Sequence, residues 1–353
     1  MNSIDKATIN TLRKEKKPIL IYGNMNTALV VYKMLTINNI FPTAFIVDKF
    51  AFSKRRHIGK IKILCIDDIK DLYRYNVVIG FDNVEKTKAL LSLKKYLNFS
   101  VFHLISAGSM FNWTKPFVQN HEMDFFNIRN LLADERSKRT LDALIDTRIG
   151  KPKGFEKLLS LSDSNQYFNE LTYVCNSEKE IFVDCGAFDG DSITKFASFS
   201  NFHYKKIIAF EPLEENYIKL KENTAALPSV SIEKKASWNM DAELSFTANT
   251  SASAVSSDGL VKIKATTIDK VVKNQKITFI KMDVEGSEYE SLLGAKGTIE
   301  RNHPKLAICV YHKAEDILVL PKLIQSFKVH YKYYLRNHSN RLSETVLYCI
   351  PEK

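Results

Sequence analysis

The sequence predicts an α/β protein built around two mostly parallel sheets. Two observations carry this prediction. Short apolar runs alternate with segments of helical spacing, and most of the runs are apolar at every position, which is typical of strands covered on both faces. At ~150 residues per domain, the 353 residues allow about two domains. We therefore expect a small domain over residues 1–108, a helical connector over 109–176 and a larger domain over 177–353.

Alternation of strands and helices predicts the first domain. The predicted strands are residues 18–22, 44–47, 61–66, 77–79 and 101–105, and the predicted helices are 27–35 and 86–96. This order is typical of a Rossmann-like accessory domain. In the turn after its first strand, Met25 stands where a dinucleotide fingerprint needs glycine. The turn therefore argues against a pyrophosphate bound close to the backbone.

The strand–helix alternation returns after a helix predicted over residues 125–149. The predicted strands are 181–185, 206–210, 229–236, 277–282, 306–311, 331–336 and 345–350, and the predicted helices begin near 192, 287 and 316. The short turn over 337–343 predicts an antiparallel hairpin between the last two strands. The larger domain is thus expected to be a doubly wound, mostly parallel sheet with an antiparallel C-terminal hairpin.

Composition limits the class of protein and its compartment. Hydrophobic residues make up 45% and charged residues 26% of the chain, which excludes a disordered or collagen-like protein. The five cysteines are far apart and form no CxxC pair, so we expect buried thiols in a reducing compartment. The N-terminus lacks an apolar signal region, and no apolar run is long enough to span a bilayer. We expect a cytoplasmic protein.

The net charge of +11 is concentrated in the first third of the chain, where residues 1–110 contain 18 basic and 8 acidic side chains. A basic cluster consists of Lys54, Arg55, Arg56 and His57. Such a field suits an anionic acceptor or peripheral contact with an anionic membrane, and a solubilising surface is the alternative explanation. No basic stripe interleaved with aromatic residues is present, so a nucleic-acid partner is not expected.

Candidate site residues stand at the ends of strands, because doubly wound sheets bind ligands at their carboxyl edge. The first strand of the larger domain ends at Asp184 and leads into a turn with Gly186 and Gly190, which lets backbone approach a ligand. The second strand leads to Glu211, whose carboxylate can accept both hydroxyls of a ribose. The turn is too acidic for a pyrophosphate. It suits a sulfonium and an ammonium group, which favours S-adenosylmethionine over NAD; a plain tight turn remains the alternative.

Several long segments carry a family resemblance. They are IFVDCGAFDGDS, AFEPLEENY, FIKMDVEGSEYESLLGAKGTI and HPKLAICVYHKAEDI, followed by YYLRNHS and ETVLY. In this order they resemble the FkbM-type family of S-adenosylmethionine-dependent methyltransferases, over about residues 130–350. The resemblance implies a class I methyltransferase fold and S-adenosylmethionine as cofactor. It also implies methyl transfer to a hydroxyl oxygen of a sugar, glycan or related metabolite.

The resemblance further implies which residues contact the cofactor: Asp184, Gly186, Ala187, Gly190, Glu211, Ser237, Trp238 and Asp283. The Gly turn would line the methionine part, Glu211 would take the ribose, and Ser237 and Trp238 would contact the adenine. A tryptophan packed in the core is an equal alternative for Trp238.

The catalytic candidates are Asp283 and Glu285, which follow the fourth strand, and His312, which follows the fifth. A hydroxyl acceptor is a poor nucleophile until its proton has somewhere to go. In one mechanism, His312 accepts the proton of the acceptor hydroxyl, and Asp283 orients the imidazole of His312. In the other, Asp283 and Glu285 hold a divalent cation that lowers the hydroxyl pKa. We favour the base and expect no metal, because only one firm ligand candidate stands at the strand tip and metal sites need several donors.

Two functions of other classes remain open. One is a nucleotide-sugar or NAD-linked enzyme centred on the first domain. Met25 argues against this function, because a dinucleotide fingerprint needs glycine at that position. The other is a non-catalytic nucleotide-binding protein. Four residues at strand tips argue against such a decayed site: Asp184, Glu211, Asp283 and His312.

Overall fold

The computed structural model describes residues 2–52, 57–92, 99–107, 109, 111, 113–151, 153–173, 179–247, 254–255 and 261–352. The chain forms two compact units. Unit 1 comprises Met1–Asn120, Arg139–Ser164 and Asn337–Glu344, and unit 2 comprises His121–Lys138, Asn165–Arg336 and Thr345–Lys353. The domain boundaries expected from the sequence stay a prediction. The residues expected to form a connector over 109–176 are divided between the two units.

Unit 1 contains a six-stranded sheet. Its strands are β1 (Ile19–Tyr22), β2 (Ala44–Val47), β3 (His57–Ile58), β4 (Ile61–Cys65), β5 (Asn76–Ile79) and β6 (Ser100–Phe102). They lie in the order β3-β4-β2-β1-β5-β6, and every neighbouring pair is parallel except β3 and β4. Strands β1, β2 and β5 are buried at every position, as their continuous apolar character predicts.

The helices of the first half of the chain are α1 (Ser3–Glu15), α2 (Asn26–Ile37), α3 (Val84–Ser92), α4 (Lys115–Asn120), α5 (Glu122–Leu131), α6 (Glu135–Arg148) and α7 (Gly154–Leu161). The sequence analysis missed α1, whose surface is mostly charged. Its buried side chains Ile9 and Leu12 pack into the core of unit 1. Its Asp5 accepts hydrogen bonds from the backbone N–H groups of Ile105 and Ser106 at 2.8 and 2.9 Å.

The single helix predicted over residues 125–149 is wrong: the structure has α5 and α6 instead. Leu132, between them, has extended backbone and forms a bridge with Tyr333. Asp134 then accepts a hydrogen bond from the backbone N–H of Ser137 at 2.8 Å, which stabilises the start of α6. The break contains no glycine or proline, so the spacing of apolar residues continues across it almost unchanged. This is why one helix was predicted instead of two.

The main sheet of unit 2 has seven strands. The strands of this half of the chain are β7 (Ile181–Cys185), β8 (Lys206–Phe210), β9 (Val230–Glu233), β10 (Ala236–Ser237), β11 (Ala242–Thr247), β12 (Ala254–Val255), β13 (Val261–Thr266), β14 (Phe279–Met282), β15 (Lys305–Cys309), β16 (Tyr331–Asn337) and β17 (Thr345–Pro351). The main sheet has the order β16-β17-β15-β14-β7-β8-β9, with β17 antiparallel to β15. Strands β15, β14, β7, β8 and β9 are parallel to one another. The predicted doubly wound, mostly parallel α/β fold is confirmed.

A second sheet in unit 2, with the order β10-β13-β11-β12, was not predicted. The sequence analysis extended the third strand through Ala236, whereas β9 ends at Glu233 and Ala236 begins β10. β13 carries exposed lysines at Lys262 and Lys264, so only alternate positions are apolar. Such a half-buried strand gives a weaker signal than a continuous apolar run.

The remaining helices are α8 (Asp191–Phe199), α9 (Glu214–Thr224), α10 (Ile268–Val272), α11 (Glu288–Leu293), α12 (Lys296–Asn302) and α13 (Asp316–Gln325). The long helix predicted from residue 287 is divided at Gly294, where a Cβ would lie 1.9 Å from the carbonyl oxygen of Trp238. An aromatic cluster fills the core of unit 2, with Phe182 and Phe196 stacked at 4.5 Å between ring centroids.

The strand register brings four carboxyl ends to one edge of the main sheet. Cys185 at the end of β7 pairs with Phe210 of β8 and with Met282 of β14, and Met282 pairs with Ile308 of β15. The segments after these four strands, which include the predicted site residues, therefore lie side by side.

No helix in the described part of the chain is long and apolar enough to cross a membrane. The cysteines at positions 65, 185, 309 and 349 are free and buried, as expected. Cys175 lies outside the described residues.

Candidate active site

The Gly turn after β7 is shaped by close contacts with protein atoms. Gly186 has φ +76°, and a Cβ there would lie 1.9 Å from the carbonyl oxygen of Asp283. Gly190 has φ +91°, and a Cβ there would lie 2.9 Å from Thr224 and 3.0 Å from Leu220 of α9. The expectation that both glycines make room for a ligand is therefore corrected. They let β14 and α9 approach the turn, which sets its shape.

Asp184 is fully buried, which corrects the expectation that its side chain lines the cofactor. Its carboxylate lies 2.9 Å from the ammonium of Lys281 and accepts a hydrogen bond from the hydroxyl of Ser192. Ala187 is also fully buried and belongs to the hydrophobic core. Both residues support the Gly turn from beneath.

Lys281 is a residue that the sequence analysis missed. It is only 2% exposed, and besides its ion pair its Nζ donates to the carbonyl oxygen of Gly186 at 2.8 Å. Burial alone would lower its pKa, but the charges of Asp184 and Asp283 raise it, so the side chain stays a cation. A lysine in the middle of the apolar strand FIKM was the available signal, because lysine is almost never fully buried without a partner.

Glu211 follows β8 and is 4% exposed. One carboxylate oxygen accepts from the backbone N–H of Phe188 at 3.0 Å, and the other from that of Leu213 at 3.0 Å and from the amide of Asn216 at 3.4 Å. Burial raises the pKa of Glu211, and these hydrogen bonds partly offset the rise. The carboxylate is thus held in one orientation next to Phe188, an exposed residue of the Gly turn with φ +49°.

Ser237 and Trp238, which were expected to contact adenine, differ in exposure. The Ser237 hydroxyl is buried and lies 2.8 Å from the hydroxyl of Ser291, so its position within unit 2 is structural. Trp238 is half-buried, and its backbone N–H donates to the carbonyl oxygen of Thr266 at 2.8 Å. The contact of its indole with adenine stays a prediction.

Asp283 is held by two tyrosines. One carboxylate oxygen accepts from the hydroxyl of Tyr167 at 2.8 Å, and the other lies 3.3 Å from the hydroxyl of Tyr311. Burial would raise the pKa of Asp283, but the charges of Lys281 and His312 and the Tyr167 hydrogen bond lower it, so the side chain is an anion. Tyr167 was missed, although the QYF segment that contains it was noted as part of the family resemblance.

His312 is surrounded by carboxylates. Its Nδ1 lies 2.8 Å from Oε1 of Glu288, while its Nε2 lies 3.4 Å from Oδ1 of Asp283 and 3.6 Å from Oε2 of Glu285. Burial alone would lower the pKa of His312, but Glu288, Asp283 and Glu285 together raise it to about 10. An imidazole with this pKa keeps its proton at neutral pH in the ion-free protein, which weakens the expectation that it acts as a base.

Glu285 is the exposed member of this group, with a side chain 45% accessible to solvent. Burial of its carboxylate by neighbouring groups raises its pKa to about 6. Its φ of +53° is unusual for a residue with a Cβ, and Gly286 follows with φ +92°. The turn over these two residues directs Glu285 toward His312. The structure thus brings together all three catalytic candidates.

The residues of this edge fit S-adenosylmethionine in their chemistry. Glu211 is a fixed carboxylate suited to the two ribose hydroxyls, and Trp238 offers an aromatic surface for a base. Asp283 and Glu285 place negative charge where a sulfonium would be favoured.

Among the described residues, the corresponding edge of unit 1 differs from this site in its turn and in its acidic residue. A Cβ on Gly23 would lie 2.5 Å from the carbonyl oxygen of Gly80, so these two backbones already touch. Asp48, at the end of β2, accepts from the hydroxyl of Tyr22 and pairs with Lys86 at 2.5 Å. Of the basic cluster, Lys54, Arg55 and Arg56 lie outside the described residues.

Comparisons with known proteins agree with this geometry. Residues 184–338 match the family model of the methyltransferase FkbM domain. The solved structure of a methyltransferase FkbM from Methylobacillus flagellatus KT is similar with a TM-score of 0.64 at 20% identity, covering 97% of this chain and 93% of that chain. No match was found among the curated proteins.

Two further solved structures are similar to about half of the chain. An rRNA methylase from Streptococcus thermophilus covers 50% of this chain and 88% of its own, at 16% identity and a TM-score of 0.35. A putative methyltransferase from Streptococcus mutans in complex with SAH covers 51% and 92%, at 17% identity and a TM-score of 0.34.

The family match begins at Asp184 and takes in the Gly turn, Glu211, Asp283 and His312. The chain therefore carries a methyltransferase FkbM domain over residues 184–338, with the class I fold and with S-adenosylmethionine as its cofactor.

Proposed function

We propose that this methyltransferase acts on a hydroxyl oxygen of a sugar, glycan or related metabolite. One observation carries the proposal: Asp283, Glu285 and His312 form one polar group beside the Gly turn of the cofactor site. An alcohol needs such a group more than other acceptors do, because its hydroxyl must lose a proton. The pKa of that hydroxyl is close to the pKa of water, ~15.7.

S-adenosylmethionine, when bound, supplies an electrophilic methyl group, and the new bond to the acceptor oxygen forms as the bond to sulfur breaks. The electron pair of the broken bond stays on sulfur, so the leaving group needs no assistance. The acceptor oxygen must lose its proton, and the site residues serve that purpose. General acid–base assistance of this kind contributes typically ~10²–10⁴-fold to the rate.

The chain's residues divide this work between them. Asp283 is fixed by Tyr167 and Tyr311, so its free lone pairs can orient a hydroxyl. Glu285 is accessible to solvent and lies next to His312. An acceptor that enters from solvent would therefore contact Glu285 before Asp283 and His312. The base role of His312, expected from the sequence, remains a prediction.

The acceptor is proposed to carry negative charge or to be presented on an anionic surface. The support is the concentration of positive charge in residues 1–110, with 18 basic against 8 acidic side chains. Opposite charge raises the rate of encounter between such partners over long distances. The buried free cysteines favour a reducing compartment, and we propose the cytoplasm.

The proposal is tested by incubating the protein with methyl-labelled S-adenosylmethionine and with carbohydrate and small-molecule fractions from the organism that makes it. We expect label to enter a fraction only in the presence of the protein, together with release of S-adenosylhomocysteine. Asp283→Asn should abolish transfer, because Asp283 is the carboxylate proposed to orient the acceptor hydroxyl. Label that enters only proteins or nucleic acids would contradict the proposed acceptor class.

A further inference from the structure

We infer that the group formed by Asp283, Glu285 and His312 is a binding site for one divalent cation, with Glu288 supporting His312 from behind. The inference rests on the proposed function, which it deepens by naming what activates the acceptor hydroxyl. In the sequence, only one firm ligand candidate stands at the strand tip, and this argues against a metal site. The structure removes that premise, because it brings three donor side chains together.

The distances around His312 suit a shared ion better than direct hydrogen bonds. Its Nε2 lies 3.4 Å from Asp283 Oδ1 and 3.6 Å from Glu285 Oε2. Normal N–H···O bonds are about 2.7–3.2 Å long, so these are wide. Two donor atoms that each lie about 2.1 Å from one ion are separated by about 3–3.5 Å at tetrahedral or octahedral angles. The ion would lie on the Nε2 side of the ring.

The other face of the imidazole already has the support that metal-binding histidines use. Nδ1 lies 2.8 Å from Oε1 of Glu288, which is fully buried and also accepts from the backbone N–H of Val284 at 3.0 Å. A carboxylate that accepts from one ring nitrogen fixes the tautomer and presents the lone pair of the other nitrogen. Glu288 therefore orients His312 for a ligand on the opposite side.

A second observation is that this group of side chains contains a buried carboxylate oxygen without a hydrogen-bond partner among the described residues. This atom is Oε2 of Glu288. Donor atoms of Asp283, Glu288 and His312 all lie within 4.8 Å of one another. Lys281 is paired with Asp184 at 2.9 Å, so three carboxylates remain around His312.

The elements that carry the donors are rigid enough to hold such a site. Asp283 directly follows β14, and His312 stands three residues after β15, the parallel neighbour of β14. Two tyrosine hydroxyls fix the Asp283 carboxylate. Glu285 is half-exposed, so the ion would be reached from solvent, and an acceptor hydroxyl could complete its coordination. Mixed imidazole and carboxylate donors suit Mn²⁺ or Zn²⁺ better than Mg²⁺, which prefers oxygen donors.

Titration with Mn²⁺ alone tests the site, because loss of the free-ion electron paramagnetic resonance signal reports binding without any turnover. Chelator-treated wild-type protein should bind one Mn²⁺ per chain. Both Asp283→Asn and His312→Gln should weaken binding at least tenfold, and Glu288→Gln by about 10–100-fold as a supporting residue. Glu300→Gln, which removes a half-buried carboxylate of α12 that pairs with Lys296, is the matched control and should bind as wild type does.

Thermal unfolding, measured in the same variants, shows that each is folded. Stoichiometric Mn²⁺ binding that survives in Asp283→Asn and His312→Gln, or its absence in wild-type protein, would overturn the metal site. If methyl transfer to a hydroxyl persists in chelator, the metal site fails while the proposed function stands. If Mn²⁺ binds as expected but the methyl group is found on another atom, the proposed function fails while the metal site stands.

Discussion

We propose that cofactor recognition depends most on Glu211. Its carboxylate is fixed by the backbone N–H groups of Phe188 and Leu213 and is nearly buried, so it is preorganised to accept ribose hydroxyls. We expect Glu211→Gln to weaken the binding of S-adenosylhomocysteine roughly 10–100-fold, because a charge-assisted hydrogen bond contributes ~1.5–3 kcal/mol. Calorimetric titration measures the change.

Glu215→Ala is the control for this prediction, since Glu215 is an exposed carboxylate in the first turn of α9. It should leave the affinity unchanged. Wild-type affinity in Glu211→Gln would show that the ribose is bound elsewhere.

The buried pair of Lys281 and Asp184 has a different role at the same scale, which is to stabilise the sheet edge beneath the site. Lys281→Met leaves the carboxylate of Asp184 buried without its cation, and such a loss costs about 3–5 kcal/mol. Adding Asp184→Asn should recover part of that loss, because the charge is removed. Urea denaturation measures both variants.

The exposed pair of Lys270 and Asp241 provides the comparison. Lys270→Met should change the free energy of unfolding by less than about 1 kcal/mol. Equal losses for Lys281→Met and Lys270→Met would mean that burial does not set the strength of the inner pair.

Residues were predicted from the sequence with uneven success. Asp283, Glu285 and His312 were predicted because strand ends and acidic motifs can be recognised in the sequence. The structure places their side chains close together, and their catalytic roles stay a prediction. The contacts that decide what each does come from segments far away in the chain. Tyr167 reaches Asp283 from 116 residues away. The burial of Asp184 depends on Lys281, which was read as part of an apolar strand.

At the scale of elements, the Gly turn depends on how closely β14 approaches it. A Cβ on Gly186 would lie 1.9 Å from the carbonyl oxygen of Asp283, and the residue has φ +76°. Gly186→Ala should therefore displace the end of β14 together with Asp283. We expect loss of methyl transfer and destabilisation of about 1–3 kcal/mol or more. Turnover and thermal unfolding measure the two effects.

Gly59→Ala separates backbone strain from the close contact. Gly59 has φ +58°, but no atom lies within 4 Å of the position of an added Cβ. Gly59→Ala should lower the free energy of unfolding by about 1 kcal/mol and leave turnover unchanged. If Gly186→Ala behaves like Gly59→Ala, the contact with Asp283 does not shape the site.

Elements with continuous apolar sequences were predicted well, and those with weaker patterns were not. The central strands β7, β8, β14 and β15 were found because burial on both faces leaves an almost unbroken apolar run. The second sheet was missed because β13 is exposed at alternate positions. The helix breaks at Leu132 and Gly294 arise from contacts with Tyr333 and Trp238, which spacing along the chain does not reveal.

At the scale of the whole molecule, charge separates the first third of the chain from the rest. Residues 1–110 hold 18 basic and 8 acidic side chains, whereas the total net charge is +11. If this field attracts the acceptor, affinity for the acceptor should fall steeply as salt is added, because screening shortens the range of attraction. Replacing Lys54, Arg55 and Arg56 by glutamate should have the same effect.

Cofactor affinity is the internal control for this prediction, because the Gly turn and Glu211 belong to unit 2. It should respond weakly to salt and not at all to the triple substitution. Acceptor turnover that is independent of salt and unchanged in the triple variant would make the basic cluster a solubilising surface.

The central claim is that this methyltransferase moves a methyl group from S-adenosylmethionine to a hydroxyl oxygen at the edge formed by β7, β8, β14 and β15. Its most direct test is to supply cofactor labelled with ¹³C in the methyl group and to locate that carbon in the product by NMR spectroscopy. We predict a methyl carbon bonded to oxygen, formed by wild-type protein and absent with Asp283→Asn. A labelled methyl group on nitrogen, carbon or sulfur, or equal product from Asp283→Asn, would contradict the account.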